Sequence, residues 1–485
     1  MKKMFGKAVR DDTENYLRAA SPNERRCIAR DYLDFYRGLA VGGTYDFSDG
    51  SNLSCPSTYT RGLQKCIERH PQLSVVTINA ESNSPYFEHY PKVDLEQHLQ
   101  HLDKCKKDGD EDKAIQNALP GILDTKLLPS IPAWKVFILP LSEKRCFIAF
   151  FYSHTLGDGM SGLAFHQTLL SGLEVSHIEN ELPPSTRSKD IGPASDTPRN
   201  LPITWPFFLR TLLGIFLPKP LLSILGLEAL NNAVTSATWT GSPVFYNAEK
   251  HTTGVRTITI DGTIVSRVLR VSRSHGVKLT GLLHQLIVGA LSEFLPQSAD
   301  ISQFVAQTSL SLRGALNISG DKIGNFISAD TATLPKNNKM RCEAEAKVNW
   351  SSAKAITERL AAVSKDLRNH PIGLLPYVSD MRSWTLSKVG GSRDCSYEVS
   401  NLTSFRPVSP GGRATIVKMV FCQPASVTGA PLSFNVVSVA NGPLSIAVSW
   451  QLGALGFDAG EDEREIVEIV CRKIELGFRH LASTS

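Results

Sequence analysis

CFIAFFYSHTLGDGMSGLAFHQTLL, residues 146–170, is the stretch of sequence that decides the fold. Its first seven residues are almost wholly apolar, which predicts a strand buried on both faces. Gly157 and Gly159 then free the backbone for a tight turn that places His154 at the end of this strand. The apolar spacing that follows predicts a helix whose first turn is capped by Asp158. A strand, a histidine-bearing loop and a helix in this order are typical of a functional site.

His154 and Asp158 are the candidate catalytic residues of this stretch. An imidazole titrates near neutral pH, so it can take a proton from an attacking hydroxyl and return it to a leaving thiolate. Asp158 lies across the glycine turn, where it cannot orient the imidazole, and we expect it to hold the loop by an ion pair with an arginine. A purely structural histidine is one alternative. A metal pair is another, but it needs a helix through Gly157 and Gly159, which are poor helix residues.

Length and composition limit the classes of protein to which this chain can belong. A chain of 485 residues is too long for one core and predicts two to four domains. The net charge is +5 and the basic residues are dispersed, so we expect no nucleic-acid partner. Nine cysteines without a CxxC pair favour reduced thiols and a cytoplasmic location. We expect no secretory signal and no membrane-spanning segment, because no uncharged apolar run is long enough.

The chain divides into two halves that are joined by a crossover. The N-terminal half, residues 1–173, carries His154, and the C-terminal half covers residues 255–485. Residues 174–254 between them begin with a stretch rich in proline, serine and charge, which predicts an exposed linker. Both halves mix strands and helices, which favours an α/β or α+β fold.

The apolar segment 205–230, WPFFLRTLLGIFLPKPLLSILGLEAL, lies inside the crossover. Arg210, Lys219 and two prolines interrupt it, so it is not a clean transmembrane helix. It is the candidate for peripheral contact with an intracellular membrane, or for the mouth of an apolar substrate site. Packing against the surface of the protein itself is the favoured alternative.

Several secondary structure elements can be predicted in the N-terminal half. Residues 13–37 have helical patterning, and residues 135–152 predict a β-hairpin. Residues 94–104 predict a helix that places His98, His101 and Cys105 on one face, as zinc ligands would lie. No fourth ligand follows at a recognisable spacing, so an amphipathic surface is favoured over a metal site.

The C-terminal half shows clear helical and strand patterns. Residues 279–295 predict a buried helix, with Thr280 as its cap. Residues 444–452 alternate apolar and polar side chains, which predicts a strand with one buried and one polar face. A terminal helix with Ile466, Val470, Ile474 and Phe478 on one side should cover the sheet.

The ordered motifs of the chain resemble those of the fungal alcohol acetyltransferase family. That family is a branch of the superfamily of BAHD acyltransferases, chloramphenicol and carnitine acetyltransferases and peptide-synthetase condensation domains. The resemblance spans nearly the whole chain, and the motifs that carry it are Ser153-His154-x-x-x-Asp158-Gly159, Ser309-Leu310-Ser311-Leu312-Arg313, Gly324-Asn325-Phe326-Ile327-Ser328, Ser400-Asn401-Leu402 and NVVSVANGPLSIAVSWQ at 435–451.

The resemblance implies a fold and a set of roles. The fold is a pseudo-dimer of two chloramphenicol-acetyltransferase-like domains, each a mixed sheet with covering helices, and an interdomain tunnel runs between them. His154 would be the general base, and Asp158 a structural partner, with Arg313 as the candidate arginine. Gly159 and Arg313 would support the site. The DFGWG motif of the plant enzymes is absent, so Asn325 and Asn401 are the candidates for stabilising the oxyanion, or simply satisfy loop backbone.

The predicted function is acyl-CoA-dependent O-acyl transfer, with acetyl-CoA or another acyl-CoA as co-substrate and no permanently bound cofactor. The acceptor would be a hydrophobic alcohol, such as a fungal secondary metabolite, and we expect a monomer. N-acylation is open, because the same base serves an amine. A condensation-type enzyme with a carrier-protein donor and a non-catalytic binding protein on the same fold are the alternatives.

Overall fold

The structure is a computed structural model, and it describes residues 15–105, 110–173, 190–216, 234–294, 300–337, 348–409, 412–457 and 462–484. Its strands are β1 (Tyr16–Ala19), β2 (Leu39–Phe47), β3 (Val75–Ile78), β4 (Tyr86–His89), β5 (Leu99–His101), β6 (Trp134–Pro140), β7 (Arg145–Tyr152), β8 (Thr253–Ile260), β9 (Gln303–Ser311), β10 (Ile327–Pro335), β11 (Tyr397–Phe405), β12 (Ala414–Cys422), β13 (Leu432–Val439) and β14 (Leu444–Gln451).

The α-helices connect and cover these strands. They are α1 (Pro22–Tyr32), α2 (Ser57–Arg69), α3 (Leu95–His98), α4 (Glu111–Leu123), α5 (Gly159–Leu173), α6 (Trp205–Phe216), α7 (Gly262–Ser274), α8 (Leu279–Phe294), α9 (Trp350–Val363), α10 (Met381–Leu386) and α11 (Glu463–Ser483). Short 3₁₀ helices lie at Pro71–Ser74 and Pro371–Tyr377.

The sheet of the N-terminal half is built around β7. Its strand order is β12-β2-β7-β6-β5, and β6 and β7 form the predicted hairpin, with Trp134 opposite Tyr152. Every residue of β7 after Arg145 is buried, as the unbroken apolar run predicts. The helix predicted after the glycine turn is α5, which packs on α2 and on β2. The strand therefore ends at a fixed point of the core, two residues before His154.

The sheet of the C-terminal half has the order β10-β9-β11-β13-β14-β8. The helices α7, α8 and α11 cover one face of it, and the predicted apolar side of α11 is buried there. The other face lies toward the first sheet, where Ala447 of β14 shares a core cluster with Phe147 of β7 and Val420 of β12. Together the two sheets form the mixed two-domain α/β fold that the resemblance implies.

One strand crosses from the C-terminal half into the sheet of the N-terminal half. β12 pairs antiparallel with β2, with Ala414 opposite Phe47 and Cys422 opposite Ala40. The chain then returns to the second sheet as β13. A division at residue 255 therefore does not separate the two sheets, although it separates most of their strands.

The helix predicted over residues 94–104 is wrong. Helix α3 ends at His98, because Leu99 is already extended, and residues 99–101 pair in parallel with β6. His98 stacks on Trp134 and contacts its backbone oxygen through Nδ1 at 2.7 Å. His98 and His101 therefore do not share a helical face, and the described residues hold no group of three candidate metal ligands.

Three smaller expectations also fail. The patterning over 13–37 contains β1 before α1, because residues 16–19 pair with β4. All of β14 is buried rather than one face only, because helices cover one side of the sheet and β12 lies against the other. Thr280 lies inside the first turn of α8 and accepts a hydrogen bond from Asn401 instead of capping the helix.

Segment 205–230 is described only as far as Phe216, and its remainder lies outside the described residues. Helix α6 exposes Trp205, Leu209 and Leu213 on one side. On its other side, the ring of Phe208 lies 4.6 Å from that of Tyr377. No helix among the described residues combines the length and apolarity needed to cross a membrane.

Candidate active site

His154 lies at the end of β7 and lines a cavity of about 820 Å³. Residues of both sheets form its walls, including Leu39 of β2, Leu310 of β9 and Leu402 of β11. Many of the remaining lining side chains are apolar: Met160, Phe208, Leu212, Ile327, Leu360, Ile372, Leu374, Leu375, Val378 and Phe421. The cavity is therefore large enough, and apolar enough, for a hydrophobic small molecule.

The predicted ion pair of Asp158 with an arginine is present, and the arginine is Arg313. Its Nη1 donates to Asp158 Oδ2 at 2.6 Å, and both side chains are almost fully buried. Asp158 Oδ1 accepts from the backbone N–H of Ser161 at 3.1 Å, as a capping residue does. The backbone N–H of Phe326 donates to Oδ2 at 3.0 Å. Asp158 thus ties the turn after β7 to the loop before β10.

Arg313 extends this connection to the loop that carries Asn325. It lies within donating distance of two backbone carbonyls, those of Lys322 and Gly324, at 3.1 and 3.4 Å. Its guanidinium lies over the ring of Phe326, 4.7 Å from the centroid. The pair therefore fixes the loop of residues 322–326 against the turn that carries His154, and no hydrogen bond among the described residues joins the side chain of Asp158 to that of His154.

Asn325 holds the ring of His154. Its Nδ2 lies 3.0 Å from the backbone oxygen of His154 and 3.2 Å from Nδ1 of the imidazole. Nδ2 also lies 3.5 Å from Cys27 Sγ, so its two hydrogens already face three acceptors of the protein and neither is free for an oxyanion. Its Oδ1 is buried without a hydrogen-bond partner among the described residues. The structure thus places Asn325 as a positioning residue for the imidazole.

Asn401 lines the cavity wall, where β11 is irregular. Its Nδ2 donates to Thr280 Oγ1 at 3.1 Å, and its Oδ1 accepts the backbone N–H of Thr403 at 2.8 Å. Thr403 has a positive φ of 64°, which is uncommon for a residue other than glycine. The side chain therefore stabilises this irregular backbone and also joins β11 to α8.

Gly159 is closely packed against side chains of β11 and β12. A Cβ atom at this position would lie 2.5 Å from Leu402 Cδ2 and 3.2 Å from Phe421 Cζ. Gly159 also lines the cavity beside His154. Its role is thus to let α5 begin directly against β11 and β12.

Tyr36, Gln423 and Glu398 belong to the site, but none of them is part of a sequence motif. Tyr36 lies against His154, with 5.7 Å between the ring centroids. Its hydroxyl donates to Gln423 Oε1 at 2.9 Å, and Gln423 Nε2 reaches Glu398 Oε1 at 3.3 Å. Glu398 also accepts a hydrogen bond from Ser309 at 2.8 Å. This polar chain crosses the cavity from one half of the molecule to the other.

Helix α1 brings two titratable groups with displaced pKa values to the site. Burial raises the pKa of the Cys27 thiol, but the neighbouring His154 and two arginines lower it to about 6. Burial raises the pKa of Asp31 to about 7, although Ser153 donates a hydrogen bond to it at 2.7 Å. Helical patterning over residues 13–37 was the only sequence signal for this wall of the site, and it did not show which side faces inward.

Comparisons with known proteins identify the family of this chain. Residues 91–474 match the family profile described as Alcohol acetyltransferase (AATase). A probable alcohol acetyltransferase of Aspergillus fumigatus, crmB, is 21% identical over 89% of this chain and 94% of its own length. A second, FCK4 of Fusarium pseudograminearum, is 24% identical over 83% of each chain. An uncharacterised protein of Schizosaccharomyces pombe, C18B11.03c, is 24% identical over 93% of this chain and 95% of its own.

Solved structures share the fold. The trichothecene 15-O-acetyltransferase TRI3 of Fusarium sporotrichioides superposes with a TM-score of 0.65 at 12% identity, covering 95% of this chain and 94% of its own. The epimerization domain of tyrocidine synthetase B superposes with a TM-score of 0.58 at 13% identity, covering 97% of this chain and 98% of its own. The family match spans most of the sequence, so this chain belongs to the alcohol acetyltransferase family and is an acyltransferase.

Proposed function

We propose that the protein transfers an acyl group from acyl-CoA to the hydroxyl of a hydrophobic small molecule, with His154 as general base. The observation that carries this proposal is the position of His154, which lies in the turn after a buried strand, lines a cavity of about 820 Å³ and is held by Asn325. The names of the fungal relatives crmB and FCK4 support an alcohol acceptor and an acetyl group.

The reaction follows from the chemistry of the imidazole. His154 removes the proton of the acceptor hydroxyl while its oxygen attacks the thioester carbonyl. The tetrahedral intermediate collapses to the ester and releases the CoA thiolate, which takes the proton back from the imidazolium. The apolar walls exclude water, which would otherwise compete with the acceptor. We propose that donor and acceptor reach His154 through a tunnel between the halves, and that the acceptor is a secondary metabolite.

The test is thiol release from acetyl-CoA with a panel of hydrophobic alcohols and amines. Replacement of His154 by alanine should lower acceptor-dependent release by about 100-fold to 10,000-fold, the usual contribution of a general base. His275→Ala is the matched control, because His275 is exposed and stacks on Trp350 outside the cavity. The melting temperature of each variant should match that of the native protein.

The outcomes separate the alternatives. Release that persists in His154→Ala would remove this residue from its role as base. No release with any acceptor from acetyl-CoA or longer acyl-CoA thioesters would contradict the proposal. A carrier-protein thioester or a non-catalytic function would then become the better hypothesis.

A further inference from the structure

Two arginines of α1 line the cavity beside the candidate base. Arg26 and Arg30 are one helical turn apart, so their side chains project from the same face of the helix. The guanidinium carbon of Arg30 lies 4.7 Å from the ring centroid of Tyr36. The same ring also lies against His154, at 5.7 Å between centroids. One aromatic ring therefore separates the Arg30 charge from the imidazole.

Neither arginine forms an ion pair with a carboxylate in the described part of the chain. Arg26 donates from Nε to Asn23 Oδ1 at 3.1 Å, and its terminal nitrogens have no hydrogen bond with another described residue. Arg30 has no hydrogen bond there, and its Nε is buried without a partner. Two like charges on adjacent turns also repel each other. Burial and the charge of Arg30 accordingly lower the pKa of Arg26.

The acidic groups of the same cavity are already engaged. Asp158 is paired with Arg313, and Asp394 with Lys388 at 2.5 Å. Glu398 attracts Arg26 from beyond ion-pair distance, while its Oε1 accepts hydrogen bonds from Ser309 and Gln423. On α1 itself, the Cys27 thiol and the Asp31 carboxyl lie near the pair. Neither of them forms a hydrogen bond with an arginine in this structure.

Unpaired guanidinium groups inside a protein are costly unless a ligand neutralises them. Arginine also presents a planar set of donors that matches a carboxylate with two parallel hydrogen bonds. Arg30 lies across one ring from His154, and Arg26 lines the same cavity, so an acid group of a substrate bound beside His154 could reach the pair.

We propose that Arg26 and Arg30 form a carboxylate-binding subsite of the active site, so that one of the two substrates carries a free carboxylate. This inference rests on the proposed function and names the class of its substrate. The carboxylate belongs either to the acceptor, which is then a hydroxy acid, or to the acyl group, which is then a dicarboxylic monothioester.

The experiment compares matched substrates that differ only in this charge. In the acceptor arm, para-(hydroxymethyl)benzoic acid and its methyl ester are each acylated from acetyl-CoA. In the donor arm, malonyl-CoA and propionyl-CoA are compared with one neutral alcohol. We expect the acid to be preferred in one of the arms by about 10-fold to 100-fold in kcat/KM, the usual contribution of hydrogen bonds between charged groups.

Arginine variants assign the preference to the subsite. Arg26→Gln and Arg30→Gln should each reduce the ratio of acid to neutral substrate toward one. Arg25→Gln is the matched control, because Arg25 belongs to the same helix, does not line the cavity and donates instead to the backbone oxygen of Asn83. Arg30→Lys retains the charge and should keep part of the preference, even if Arg30→Gln folds poorly.

A binding measurement separates this inference from the proposed function. Calorimetry without any thioester should detect para-(hydroxymethyl)benzoate or malonate binding to the native protein and weaker binding to Arg26→Gln. If no substrate is turned over but this difference remains, the subsite stands and the acyltransferase proposal fails.

Three results would overturn the subsite. The first is an equal preference for acid and neutral substrates together with no carboxylate binding by calorimetry. The second is a preference that survives both glutamine variants. The third concerns the KM of Arg26→Gln. If this variant raises the KM for acetyl-CoA but not for S-acetyl-pantetheine, the arginine pair binds the phosphates of CoA and not a carboxylate.

Discussion

At the scale of single residues, the site depends on charges buried in defined pairs. Asp158 and Arg313 are 155 residues apart in sequence, yet they form an ion pair that is closed off from solvent. A buried pair contributes less than its geometry suggests, but removing one partner leaves the other charge unpaired. The turn that carries His154 therefore depends on both residues together.

Replacement of Arg313 by methionine should lower the free energy of unfolding by about 3–5 kcal/mol, because Asp158 would remain charged and buried. Arg69→Met is the matched control. Its pair with Asp321 is exposed, and we expect a loss of about 0–1 kcal/mol. Urea unfolding followed by circular dichroism measures the free energy of unfolding of both variants. Equal midpoints for the two variants would contradict the structural role of the buried pair.

Asp31 should make stability depend on pH. Its pKa is raised from 3.8 to about 7 by burial, so the folded protein binds this proton more tightly than the unfolded chain. Its stabilising contribution is complete below the unfolded pKa and is lost as the pH rises through about 7. The melting temperature of the native protein should therefore fall as the pH rises from the unfolded pKa of 3.8 to about 7, and Asp31→Asn should make this fall smaller. An unchanged pH profile would show that Asp31 titrates normally.

At the scale of elements, α6 has two different apolar sides. Phe208 faces the cavity and Tyr377, whereas Trp205, Leu209 and Leu213 are 74%, 50% and 42% exposed. The exposed three recur every four residues and so lie along one side of the helix. Contact of segment 205–230 with an intracellular membrane stays a prediction, and this side of α6 is the part of it that can be tested.

We expect the protein to co-sediment with phosphatidylcholine vesicles that contain phosphatidylserine, since apolar side chains on a helix favour insertion at the interface. Replacing Trp205, Leu209 and Leu213 together by serine should reduce the fraction of protein that sediments with the vesicles several-fold. Ile469→Ser and Leu476→Ser, on exposed positions of α11, serve as the matched control. Binding that is absent, or equal in both variants, would contradict membrane contact through α6.

At the scale of the whole molecule, β12 makes the two halves interdependent. It forms one edge of the N-terminal sheet although it lies far along the C-terminal half. Without it, β2 would present an unpaired, buried and largely apolar edge, which favours aggregation. The active-site cavity is affected as well, because Phe421 of β12 and the adjacent Gln423 line it.

Fragments 1–254 and 255–485 should therefore fold only together. Expressed alone, fragment 1–254 should be insoluble, and co-expression should yield a soluble complex in which β12 completes the sheet. Size-exclusion chromatography and thiol release from acetyl-CoA measure the outcome. A soluble, monomeric fragment 1–254 with native-like circular dichroism would show that β12 is dispensable.

The expected monomeric state of the intact chain stays a prediction. Size-exclusion chromatography of the intact protein tests it.

The sequence by itself determined the strand, turn and helix at residues 146–170, the histidine at the strand end and the family. These signals are local, because the spacing of apolar side chains and glycines sets strand and helix over a few residues. It also indicated Arg313 as the partner of Asp158, through the ordered motifs. Only the tertiary structure decided that β12 joins the first sheet. It likewise decided that Asn325 turns its amide toward His154, and that Tyr36 and two arginines of α1 line the cavity. Those contacts join residues far apart in the chain, and their distances depend on how the two sheets pack rather than on any local pattern.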